Sequence, residues 1–227
     1  MVAEPAYVPG MSPATLMTAD ELLHTSIPDK HVELVRGVLS VREPAGFRHG
    51  RVTMALCRRL TEHVESAGLG LVLATETGYK LESDPDTVRA PDLAFIARGR
   101  LPDPDLLGYP ALAPDLVVEV LSPGDRPGET LAKVGDWLSA GTVLVWVIDP
   151  DRRQAHVYRQ DGTEALVTGG TRHWTAKSWC PGFPAPWKRS SSLHPFVLRP
   201  AAALARRPAG AEDVCRLAVD AVRCVHP

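Results

Sequence analysis

The sequence predicts an α/β (α+β) domain in which helices pack against a mixed β-sheet. Two short apolar runs, Leu116-Val117-Val118-Glu119-Val120-Leu121 and Val143-Leu144-Val145-Trp146-Val147-Ile148, have the length and β-branched content of strands buried on both faces. Val52, Leu56, Leu60 and Val64 recur at a spacing of four and draw one apolar stripe along a helix. Taken along the chain, the order helix, strand, strand, strand, helix, strand gives a mixed sheet flanked by helices.

Each element has a local reason. Thr18 with Glu21 three residues on is a capping box that opens a short helix. Residues 32–41 read as an N-terminal β-hairpin turning at Arg36-Gly37. The striped helix covers residues 49–67 and ends at Gly68. Residues 71–81 and 88–96 read as two strands, and the Pro/Gly/Asp-rich stretch 99–114 as a long loop. After the strand at 115–121, Asp125 and Pro127 start a helix with Leu131, Val134 and Leu138 as its buried stripe and Gly141 as its stop. The strand at 143–148 is broken by Asp149-Pro150-Asp151, and residues 154–159 read as an edge strand ending in the Asp161-Gly162 turn. Trp137 and Trp146 belong to the core.

Beyond Trp187 the pattern dissolves. Residues 188–227 hold seven Lys/Arg against three acids, which leaves residues 1–187 at −6 within a total of −2. The expected organisation is a flexible N-terminus at 1–14, the domain at 15–187, and a basic Ala/Arg/Pro-rich tail at 188–227, disordered or loosely attached.

Bulk properties exclude several function classes. With 44% hydrophobic and 23% charged residues the composition is that of an ordinary soluble protein, and the slight acidity argues against a general polyanion-binding surface. Nucleic-acid contact must be local, and Arg48, Arg51, Arg58 and Arg59 on the striped helix could form a positive face. Cys57, Cys180, Cys215 and Cys224 contain no C-x-x-C pair and read as free thiols of a reducing compartment. No signal peptide and no apolar run of membrane-spanning length is visible, so the expected location is cytoplasmic, with no membrane partner.

The chemistry centres on Glu119. An ionised carboxylate inside a doubly buried strand costs several kcal/mol unless a cation meets it. A second acid, Asp92, sits in the strand-like run Val88-Arg89-Ala90-Pro91-Asp92-Leu93-Ala94-Phe95-Ile96. Two acids on neighbouring apolar strands point to a shared metal ion, with the backbone carbonyl of Val120 as an extra ligand; the alternative for Glu119 is a buried ion pair with an arginine such as Arg89. Hard oxygen donors suit Mg²⁺, with Mn²⁺ able to replace it. Lys133 alone of the five lysines lies on the helix directly after the Glu119 strand, and its long stem could bring an ammonium to the carboxylates. Carboxylates, a divalent ion and a lysine together serve phosphodiester hydrolysis by a metal-activated water. Glu33, set among apolar residues, and His49, at a helix start, are supporting candidates, and Glu76 and Tyr79 are weaker ones.

These residues, in this order, resemble a family. Pro91-Asp92, Glu119 within Asp115-Leu116-Val117-Val118-Glu119-Val120-Leu121-Ser122-Pro123, Lys133, Trp137-Leu138 with Ala140-Gly141, and Val145-Trp146-Val147-Ile148-Asp149-Pro150 are similar to the Uma-two family of endonucleases. That family is a bacterial branch of the PD-(D/E)XK restriction-endonuclease-like superfamily. The similarity spans roughly residues 15–184 and includes Glu33-Leu34-Val35-Arg36-Gly37, His49-Gly50 and Pro181-Gly182-Phe183. The resemblance implies a restriction-endonuclease-like mixed β-sheet flanked by helices, a Mg²⁺-dependent deoxyribonuclease activity, DNA as substrate and a homodimer. It also implies metal binding by Asp92 and Glu119 and catalysis by Asp92, Glu119 and Lys133. The superfamily lysine belongs two residues after the glutamate, where this chain has Leu121; in the Uma-two branch it has moved to the next helix, at Lys133. The alternative is a catalytically weak or inactive nucleic-acid-binding or regulatory module on the same fold.

Overall fold

A computed structural model describes residues 16–74 and 77–168. Expectations for residues 1–14, Glu76, Pro181-Gly182-Phe183, Cys180, Cys215, Cys224 and the tail at 188–227 lie outside the described residues. The elements in chain order are α1 (Ala19–Leu23), β1 (His31–Val35), β2 (Val38–Arg42), α2 (Phe47–Ser66), β3 (Gly70–Ala74), β4 (Tyr79–Glu82), β5 (Thr87–Arg89), β6 (Leu93–Ala97), β7 (Leu116–Val120), α3 (Pro127–Ser139), β8 (Leu144–Asp149), β9 (Gln154–Arg159) and β10 (Glu164–Thr168).

Local chemistry shapes several of these as anticipated. The Thr18 hydroxyl accepts the Glu21 N–H, and the Glu21 carboxylate accepts the Thr18 N–H, so both halves of the capping box form. Arg36 and Gly37 both have positive φ, 48° and 76°, the requirement of a two-residue turn whose twist matches its strands. All four stripe residues of α2 are buried.

The strands form two sheets. One is antiparallel, in the order β2-β1-β5-β4; the other is mixed, in the order β10-β9-β8-β7-β6-β3. Among the described strands only β7 and β8 pair in parallel, and α3 is their crossover. α2 covers one face of the larger sheet through Val52, Leu56, Leu60 and Val64 against Phe95, Val118 and Trp146. α3 covers the other through Val134 and Trp137 against Ala94, Val117 and Val145. α1 closes the smaller sheet over Leu34 and Val88.

Four expectations are corrected. Residues 88–96 are not one strand: β5 belongs to the smaller sheet and β6 to the larger, and the chain changes sheets at Ala90-Pro91-Asp92. Pro91 brings no N–H and restricts the residue before it, so the ladder must break there. Residues 71–81 divide likewise into β3 and β4, and near that crossing the Gly78 backbone lies so close to Tyr109 that a Cβ would stand 2.5 Å from its ring. β9 is not an edge strand, because β10 pairs along its outer side. Finally, Leu131 is 54% exposed: α3 turns Val134 and the fully buried Trp137 toward the sheet instead.

Candidate active site

Register brings the two central acids together. β6 and β7 pair antiparallel with Leu93 opposite Val118 and Ala94 opposite Val117, so Asp92, just before β6, and Glu119, just after Val118, lie at the same end of this strand pair, and the charge of Asp92 bears on Glu119. Val117 lines the face covered by α3, and the period of two puts Glu119 on that face as well. Asp92 stands where β6 has not yet begun, and its Oδ2 accepts the Val120 N–H at 2.6 Å.

Lys133 reaches this face from α3. Its ammonium donates to Glu119 Oε2 at 2.9 Å, to Glu33 Oε1 at 3.0 Å and to the Ala90 carbonyl at 3.0 Å. The break at Ala90-Pro91 that splits the predicted strand therefore has a use: it leaves the Ala90 carbonyl for Lys133 and its N–H for Glu33 Oε1 at 2.9 Å. Trp137, one turn after Lys133, donates its indole N–H to Glu119 Oε1 at 2.9 Å. Both oxygens of the glutamate are thus met by donors from a single helix.

Glu33 lies against the same lysine, on β1, and is buried. Arg89 donates to its Oε2 at 2.9 Å and turns its remaining donors to Asp136 at 2.5 and 3.0 Å. Arg89 consequently pairs with Glu33 and Asp136 rather than with Glu119. Asp136 escaped the sequence reading, although its place three residues after Lys133 on one helix is a signal that both side chains share a face. His49, in the first turn of α2, sets Nε2 3.1 Å from Asp92 Oδ1. Tyr79 is fully buried, its ring edge-on to Trp137 at 6.2 Å, and is a core residue.

The electrostatics follow from burial and proximity. Burial pushes the Glu119 carboxyl up to about 7, with Lys133 opposing and Asp92 and Glu33 adding to the rise. Burial also works against the charge on Glu33, but Lys133 and Arg89 outweigh it and hold that carboxyl below its ordinary value. For Lys133, Glu119 and Glu33 together overcome burial and raise its pKa, so it stays cationic. The hydrogen bond to Asp92 raises His49 despite partial burial.

Among the described residues, no group of three or more His, Cys, Asp or Glu side chains is arranged to hold a metal ion. The donors present still suit Mg²⁺, which needs only one or two carboxylates and keeps several waters. Glu33, Asp92 and Glu119 are three inner carboxylates facing Lys133, Arg89 and His49, and Arg89 is shared with Asp136. What the cluster offers a divalent cation is hard oxygen donors.

The Uma2 family, described as "putative restriction endonuclease", matches residues 19–185. The chain belongs to this family. A solved structure described as a "putative nuclease belonging to DUF820" from Anabaena variabilis is similar over 66% of this Uma2 chain and 83% of its own, at 23% identity and a TM-score of 0.57. That likeness shows a restriction-endonuclease-like fold. No curated protein matches the chain.

Leu121 and Lys133 meet the same face of the larger sheet. Leu121 is two residues after Glu119 and packs with the core cluster on the α3 side, so a lysine there would lie on the same face as the glutamate. α3 crosses that face and delivers the ammonium of Lys133 to Glu119 instead. Among the described residues no helix is long and apolar enough to cross a membrane.

Proposed function

We propose that the protein hydrolyses DNA phosphodiester bonds with Mg²⁺ as cofactor and Mn²⁺ able to replace it. The observation that carries this reading is Lys133 Nζ 2.9 Å from Glu119 Oε2, at the end of β7 where Asp92 accepts the neighbouring Val120 N–H. Asp92 and Glu119, with the Val120 carbonyl, would hold the ion. When bound, it would lower the pKa of a coordinated water and offset charge on the phosphate.

The chain's own groups supply the rest. Lys133 orients the attacking water and stabilises the developing anion, a role that suits an ammonium kept charged by two carboxylates. Glu33 holds Lys133 in place, and the Trp137 N–H holds Glu119. His49 steadies Asp92 from the rim. Cutting both strands of a duplex would take two copies, hence a homodimer, and the reaction would take place in the cytoplasm.

Leu121 and the lack of a three-residue metal cluster among the described residues favour a second reading, a nucleic-acid-binding or regulatory module without turnover. Supercoiled plasmid incubated with the protein and Mg²⁺ or Mn²⁺ separates the two. Nicking or linearisation that vanishes in Asp92→Asn is expected of the nuclease. Plasmid that stays intact yet shifts on a gel establishes the binding module.

A further inference from the structure

We infer that the outer ridge of α2 docks a nucleic-acid strand with unpaired bases and leads it to the Asp92–Glu119 site; what happens to the strand there rests on the nuclease reading. Phe47, Arg51, Met54 and Arg58 are spaced by four, three and four residues, so they form one line along the helix, on the side away from Val52, Leu56, Leu60 and Val64. All four are exposed: Phe47 by 88%, Met54 by 66%, the Arg58 side chain by 67%, and Arg51 likewise.

A lone exposed apolar side chain is ordinary. Here an aromatic ring, a thioether and two guanidinium groups alternate along one line. Residues 47–61 contain four arginines and no acid, in a chain whose net charge is −2. The only ion pair of Arg58 among the described residues is with Glu62 at 3.8 Å, both partners exposed, and such pairs yield readily to a phosphate. Phosphates complement the arginines, and a base complements the ring.

The N-terminal end of the ridge lies on the same helical turn as His49, on the opposite side of the helix. Phe47 is the first residue of α2, two residues ahead of the His49 that contacts Asp92. From Phe47 to Arg58 the helix rises about 16 Å, room for four or five nucleotides at the ~3.4 Å spacing of a stacked strand. A ring on a convex ridge meets a base face only when that base has left its pair, whereas a duplex offers the ridge phosphates alone. Stacking platforms joined to cationic tracks are how proteins hold single strands. One copy of the protein suffices for such a strand.

Fluorescence anisotropy of the full-length protein with a labelled 20-nucleotide single strand, and with its duplex, tests this in EDTA and fixed salt, so that binding is read without metal-dependent cleavage. The single strand should bind more tightly. Phe47→Ala should weaken single-strand binding roughly tenfold with little change for duplex, and Arg51→Glu should weaken both, with melting temperatures unchanged. Equal affinity for the two DNAs, or no effect of Phe47→Ala, overturns the inference. So does a Phe47→Ala change that abolishes self-association in sedimentation without altering DNA binding, since a second copy would then cover the ridge. Tight single-strand binding in EDTA without cleavage in Mg²⁺ leaves this inference standing and sinks the nuclease reading alone.

Discussion

Lys133 Nζ lies 2.9 Å from Glu119 Oε2, although the lysine stands on α3 and the glutamate on β7. The two side chains are each 12% exposed, so neither charge is fully hydrated and each depends on the other.

Removing one partner should therefore cost more than removing both. Lys133→Met leaves Glu119 and Glu33 buried without their ammonium, and the expected loss is roughly 3–5 kcal/mol in urea unfolding. Lys133→Met combined with Glu119→Gln should recover part of that loss. A double variant as unstable as the sum of the two singles would mean that the pair is not coupled.

Divalent-ion binding should depend on both acids. Titration calorimetry with Mg²⁺ or Mn²⁺ is expected to show binding to the wild type and none to Asp92→Ala or Glu119→Gln, with circular dichroism confirming that both variants fold. Heat of binding that survives both substitutions would place the ion elsewhere in the molecule.

Asp86 gives a pH dependence remote from this cluster. Its carboxylate accepts from Lys80 Nζ at 2.8 Å and from the Ala19 N–H at 2.7 Å, and these bonds hold its pKa below the ordinary value. The folded state thus binds this proton less tightly than the unfolded chain does. The stabilisation is complete above the unfolded pKa of about 3.9 and is lost as pH falls through the lower folded value. Asp86→Asn should lose about 1–3 kcal/mol at pH 7, and its stability should fall less than that of the wild type on acidification below pH 4. Parallel pH profiles for the two proteins would contradict the assignment.

Much of the fold was legible because its causes are local. The Thr18–Glu21 capping box, the Arg36-Gly37 turn and the Val52-Leu56-Leu60-Val64 stripe each involve residues within a turn or two of one another. Residues 71–81 and 88–96 were misread as single strands because an apolar segment that passes from one sheet to the next keeps the same composition as one that stays. β10 was missed because Glu164–Thr168 carries only Val167 as a buried apolar residue, too little for a pattern.

Within the site, residue types were legible and partners were not. Buried acids in apolar runs singled out Glu119 and Asp92, and position on the following helix singled out Lys133. The Arg89 pairing with Glu33 and Asp136 joins residues 56 and 47 positions apart, and no local rule points from one to another.

By itself, the sequence determined which residues could not be left alone: a carboxylate in a buried strand demands a counter-charge wherever the chain goes. Tertiary structure decided which charge answers. The β6–β7 pairing brings Asp92 to the end of β7 that carries Glu119, and the α3 crossover lays Lys133 over the face that Leu121 also lines. The physical reason is range: desolvation cost is a property of each residue in its own segment, whereas an ion pair needs two segments brought to within about 3 Å, which only the packed sheets and helices can do.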